Sequence, residues 1–101
     1  MRDEKGFLTM LGFAAKARKL VSGEKGVESF LKQNDKVKLL ILANDMPQSR
    51  KDFWRGKAEI LKIDTIEAAD KMTLGIAIGT SPRGVIGILD DQMKKAVLER
   101  F

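Results

Sequence analysis

At 101 residues the chain can bury a core of its own without staples, and it reads as one domain over residues 1–101. It has no cysteine and no histidine, which excludes a disulfide framework, thiolate chemistry and the side chain most used as metal ligand or as general base near neutral pH. The net charge of +5 is uneven: residues 1–56 carry 12 Lys or Arg against 7 Asp or Glu, and residues 57–101 carry 7 of each, so the positive field is one-sided and favours a polyanion.

Taken in chain order, residues 4–18 are predicted helical. Phe7, Leu8, Leu11, Ala14, Ala15 and Arg18 follow the three-and-four spacing of one face, with Asp3 as N-cap. The short apolar pair Leu20 and Val21 reads as a very short strand. Ser22 is the cap candidate for a second helix, with Val27, Phe30 and Leu31 as its buried stripe and an end near Asn34. Val37–Asn44 is a near-continuous apolar run, as expected of a strand covered on both faces.

Pro47, with Ser49 and Asp52, marks a third helix start; Phe53 and Trp54 are expected to face inward and Gly56 to stop it. Glu59–Asp64 reads as a shorter strand. Thr65 then caps a fourth helix whose inner face is Ile66, Ala69, Thr73 and Ile76. Gly84–Leu89 is another buried strand, and Asp90 caps a last helix in which Met93, Ala96, Val97 and Phe101 recur at helical spacing. This alternation predicts an α/β fold, a three-layer α/β/α sandwich around a mixed four-stranded sheet. The loops expected at its ligand-binding end are 18–25, 43–48, 64–66 and 79–84.

No apolar signal core opens the chain, and the longest uncharged run, Met72–Pro82, is too short and glycine-rich to span a bilayer. The expectation is a cytoplasmic protein with no membrane partner.

Three loops bear on function. In Arg18–Val27 a glycine-led helix start lies among Lys16, Arg18, Lys19 and Lys25. Gly23 lets another backbone come close, and first-turn N–H groups with the helix dipole suit phosphate, although Glu24 opposes it. The loop Gly79–Val85 offers Thr80 and Ser81 hydroxyls and Arg83 on a backbone shaped by Pro82 and two glycines, fit to slide against nucleobases while Arg83 meets phosphate. In Leu42–Gln48, Asn44 or Asp45 reads as a cap of the third helix, with Pro47 in its first turn, rather than Asp45 as a phosphoacceptor. Neither a P-loop nor a GxGxxG is present, Asp45, Asp64, Asp90 and Asp91 fall near strand ends or helix caps with capping accounting for most of them, and no catalytic residue is expected.

The assembled stretches resemble a known family. LGFAAKARKLVSGE (Leu11–Glu24), KVKLLILANDMP and MTLGIAIGTSPRGVIGILD together are similar to the YlxQ-type bacterial homologues of the kink-turn-binding ribosomal proteins, and the likeness runs through nearly the whole chain. The resemblance implies the sandwich argued above, a non-enzymatic role, and structured ribosomal or other non-coding RNA as partner, bound by a monomer linked to the ribosome or translation machinery. The RNA-binding residues so implied, together with the basic residues beside them, are Lys16, Lys19, Ser22, Gly23, Glu24, Lys25, Asn44, Pro82, Arg83 and Gly84. In kink-turn binders, Gly-x-(Asn/Lys)-(Glu/Gln)-x-x-Lys opens the second helix and reads tandem G·A pairs. Here Gly23 and Lys25 match, but Gly26 and Ser29 stand at the last two defining positions. The resemblance therefore implies a retained site with altered base reading. Two other classes remain open: a protein-interaction module with weak residual RNA affinity, and a nucleotide-dependent or phosphorelay protein.

Overall fold

Why the elements form is mostly a matter of which apolar residues find cover. A computed structural model describes residues 1–33 and 36–101; the expected helix end near Asn34 lies outside them. The elements are α1 (Glu4–Lys16), β1 (Leu20–Ser22), α2 (Glu24–Lys32), β2 (Leu39–Leu42), α3 (Gln48–Leu61), β3 (Asp64–Glu67), α4 (Lys71–Ile78), β4 (Val85–Ile88) and α5 (Asp91–Arg100). This is the expected order. The sheet runs β1-β4-β2-β3, with β4 antiparallel to both β1 and β2, and β2 parallel to β3.

Every residue of β2 and β4 is buried, because both are inner strands with helices on either side. Backbone bonding carries β2 past its ends: Lys38 N–H donates to Ile88 O and Ala43 N–H to Gly84 O. On one face α1 contacts α4 and α5, burying Phe7, Leu11, Ala14, Leu74 and Val97; α2 and α3, with Val27, Trp54 and Ala58, complete the third layer. Among the described residues no helix is long and apolar enough to cross a membrane.

Asp3, Asp70 and Asp90 cap α1, α4 and α5, each accepting a backbone N–H bond two to three residues inside the helix. Asp3 and Asp90 match expectation. Several boundaries do not. α1 ends at Lys16, and Arg18 leaves the helical region with a φ of 58°. Gly56 does not stop α3, which continues to Leu61 and is closed by Lys62 in a left-handed conformation. Glycine inside a helix costs only about 1 kcal/mol relative to alanine, and buried Trp54 and Ala58 on either side of Gly56 hold the helix on the sheet.

The last turn of α3 takes Glu59–Leu61, so the strand expected there starts at Asp64 instead, and Thr65 is a strand residue rather than a cap. Positions 64–66 are therefore β3, not a loop. Phe53 is 38% exposed beside fully buried Trp54, and on α4 Leu74 and Gly75 face inward while Ile76 is 72% exposed.

Candidate nucleic-acid interface

One end of the sheet gathers the C-terminal ends of β1, β2 and β3 and the start of β4. Ser22 pairs with Ile86, and the next residue, Gly23, donates its N–H to Val85 O at 2.8 Å. Ser22 thus belongs to the ladder and does not cap α2. The N-cap is Gly23, at φ 83° and ψ 152°, and it supplies no side-chain bond. The first-turn N–H groups of α2 have no intrahelical acceptor by geometry, and here, unlike in α1, α4 and α5, no Asp side chain takes one. They face a groove of about 510 Å³ lined by Ser22, Gly23, Glu24, Lys25, Gly26, Pro82, Arg83 and Gly84.

Gly23 is a residue the backbone demands. A Cβ there would have room, its nearest neighbour being Arg83 Cδ at 3.7 Å, but the dihedrals lie where only glycine is at ease. Gly23→Ala is expected to cost about 1–3 kcal/mol by backbone strain alone. Urea unfolding of the two proteins checks this; equal midpoints would show that the turn relaxes freely.

The opposite wall is the loop after α4. Gly79 closes the helix in a left-handed conformation and Thr80 N–H returns to Gly75 O at 2.8 Å. Arg83 Nε donates to Ser22 Oγ at 3.1 Å, and its Nη1 donates to Ser81 Oγ at 2.7 Å. The guanidinium is thereby held against the start of α2, without a carboxylate partner among the described residues. Asn44 stands beside this wall, one residue beyond Ala43, whose N–H donates to Gly84 O; its own N–H goes to Ala69 O, and its side chain is exposed and unbonded among the described residues. Asp45 does not cap α3. It accepts the Lys71 N–H at 3.0 Å and so helps to start α4.

The structure brings Ser22, Gly23, Glu24, Lys25, Pro82, Arg83 and Gly84 together, with Asn44 adjacent. Lys19 is carried elsewhere. It precedes β1, at the end where Leu20 pairs with Ile88, and it is ion-paired with Asp90 at 3.1 Å. Lys16, exposed in the last turn of α1, leads into that same turn. Lys25 and Arg83 thus line one groove, whereas Lys16 and Lys19 do not line it, β1 separating Lys19 from Gly23.

Glu24 is the residue whose neighbours the sequence does not disclose. Its Oε1 accepts from Arg50 Nε at 2.9 Å, from Arg50 Nη2 at 2.6 Å and from Trp54 Nε1 at 2.6 Å. Burial pushes its carboxyl pKa up, but the bonds from Arg50 and Trp54 and the Arg50 charge outweigh this and hold it below the usual carboxylate range. The acidic residue that would oppose an anion is thus matched by an arginine and turned toward α3. Arg50 and Trp54 lie 26 and 30 residues from Glu24, so no local pattern could have found them.

An uncapped helix start, a fixed guanidinium and Lys25, which has no ion pair among the described residues, come together at one groove, the kind of donor set that suits an anion. The chain belongs to the ribosomal protein L7Ae/L30e/S12e/Gadd45 family, whose model matches residues 7–98. It is 28% identical over 92 residues to the RNA-binding protein YlxQ of Enterococcus faecium, a span that covers 91% of this chain and 87% of that protein. A protein with unknown function from Bacillus halodurans superposes with a TM-score of 0.83 at 31% identity, over 92% of this chain and 93% of that one. The 15.5kD RNA binding protein of Giardia lamblia shares the fold, with a TM-score of 0.73 at 21% identity over 94% and 81% of the two chains.

Proposed function

We propose that this protein binds structured RNA, kinked or looped and belonging to the ribosome or translation machinery, as a single-domain monomer without catalytic activity. The observation that carries this reading is the groove between the uncapped start of α2 and the Arg83 loop, with Lys25 at its rim. Backbone N–H groups and two cations there suit phosphates, which position a nucleic acid without reading its sequence. Membership of the family and the name of the Enterococcus relative support RNA as the polyanion.

Base reading is the weaker half of the site. Gly26 and Ser29 offer no carboxylate and no ammonium at the motif positions described above, so preference for a kink-turn over plain duplex is expected to be small in the native protein. Gly26→Glu with Ser29→Lys is expected to raise kink-turn affinity more than duplex affinity, by about 1–3 kcal/mol for a regained base contact. Position 26 has room for a Cβ, which among the described residues would make an ordinary contact with Val21 Cγ2 at 3.4 Å. Titration of both RNAs at several salt concentrations tests the whole reading. Affinity should fall steeply with salt, and Lys25→Ala or Arg83→Ala should each lower the log–log slope by roughly 0.7–0.9. A salt-independent affinity, or native kink-turn preference that the double variant does not change, would overturn it.

A further inference from the structure

A second groove, of about 360 Å³, continues from the first. Lys25, Glu28, Ser29 and Lys32 of α2 line one side and Arg50 of α3 the other, and it shares Glu24 and Lys25 with the groove at Gly23. Arg50 is fixed here on two sides. Its Nε and Nη2 edge is taken by Glu24 Oε1, and its guanidinium carbon lies 4.4 Å from the centroid of the Phe53 ring. Among the described residues Nη1 has no hydrogen-bond partner, and the side chain is 41% exposed. What remains free among the described contacts is the end of the guanidinium, where one Nη1 hydrogen and the second Nη2 hydrogen form a planar pair of donors that matches two oxygens of one phosphate.

We infer that Arg50 is a further phosphate contact of the RNA site, a fixed fork aimed by Glu24 and Phe53, so that a bound strand runs from Arg83 past Lys25 to the groove between α2 and α3. The inference rests on the RNA reading and extends it to a second element. Glu24 is then a positioning residue. Its carboxylate takes the inner edge of the guanidinium and leaves the outer edge for the ligand. A phosphate fits this place better than a stacked base. Phe53, the aromatic ring beside Arg50, is already covered by Arg50 and by Lys57, whose Nζ is 5.2 Å from its centroid. Lys25 and Lys32 add charge along the groove, where three cations face two carboxylates.

The molecule carries its own reporter. Trp54 is the sole tryptophan of the chain, is fully buried, and donates to the same Glu24 oxygen as Arg50. A phosphate that draws on the Arg50 charge changes the field at the indole.

The test uses the full chain and a kink-turn RNA hairpin, with binding followed both by a label on the RNA and by Trp54 emission across a salt series. Arg50→Ala is expected to weaken binding about tenfold, to lower the log–log salt slope by roughly 0.7–0.9, and to abolish the emission change on RNA addition. Arg50→Lys keeps the charge and the fold but lacks the fork. It should retain the native slope while binding several-fold more weakly, a split that a merely structural role would not produce. If Arg83→Ala and Lys25→Ala lower the slope while Arg50→Ala and Arg50→Lys leave slope, affinity and emission change intact, this inference is wrong and the RNA reading stands. If none of the four variants moves the slope, the RNA reading fails and this inference with it.

Discussion

Trp54→Ala is expected to remove about 3–5 kcal/mol of folding free energy, the largest loss from any single truncation in this chain. Trp54 is the bulkiest of the fully buried side chains, and with Ala58 it holds α3 on the sheet. Against a total of about 5–15 kcal/mol for a domain of this kind, the variant should melt well over 10 °C below the native protein, at roughly 4–8 °C per kcal/mol. Trp54→Phe separates volume from hydrogen bonding. It keeps an aromatic ring in the core and deletes the N–H donated to Glu24.

The Glu24 carboxyl titrates below its ordinary value of 4.5 in the folded protein. Its contribution to stability is therefore complete above that ordinary value and is lost as pH falls through the depressed folded value. With Trp54 N–H removed, the depression shrinks and less stability remains to be lost in acid. The stability gap between native protein and Trp54→Phe should accordingly narrow from pH 7 to pH 3 in urea unfolding. A gap that is constant with pH would show that the indole does not act on the charged form of Glu24.

Gly75→Ala should impair folding and binding together, although Gly75 lies outside both grooves. α4 packs so closely on the loop after it that a Cβ at Gly75 would fall on the Ser81 carbonyl oxygen, with Ser81 C at 2.8 Å and Pro82 Cα at 2.9 Å. These are backbone atoms and cannot swing aside like the end of a side chain. Overpacking of this sort costs typically about 1–3 kcal/mol, and relief requires moving Ser81 and Pro82, which carry Arg83 with them. Thr80 N–H, bonded to Gly75 O, would be disturbed as well. Expected readouts are a lower melting temperature and a salt slope reduced about as much as in Arg83→Ala. Native RNA affinity in a destabilised Gly75→Ala would show that the position of the loop does not govern binding.

The elements differ in how much of them local chemistry discloses. β2 and β4 are legible because an inner strand needs apolar residues on both faces, and Leu39–Leu42 and Val85–Ile88 have them. α1 and α5 are legible because an Asp cap stands just before an apolar stripe. The segment between Gly56 and Ala69 misleads. Ile60 and Leu61 look like a strand core, yet they are 81% and 47% exposed at the end of a helix held by Trp54 and Ala58. β3, which pairs with β2 at the edge of the sheet, has no buried residue to announce it.

The candidate site divides in the same way. Gly23, Lys25 and Arg83 stand out as a glycine-led helix start, a first-turn cation and a breaker-rich loop, all features of a few neighbouring residues. That the two loops meet follows from β1 and β4 lying side by side, with Ser22 against Ile86, and a short strand such as β1 does not reveal its partner. The same pairing sends Lys19 to Asp90 at the other end, against what its closeness in sequence to Gly23 implies. The grip of Arg50 and Trp54 on Glu24 spans 26 and 30 residues and depends on α2 and α3 being neighbours on the sheet. Spacing along one element dictates which face of a helix or strand is buried, because 3.6- and 2-residue periods are properties of the backbone itself. Which side chains from different elements share one oxygen is settled only when those faces find each other, and in this protein that step chose the neighbours of Glu24.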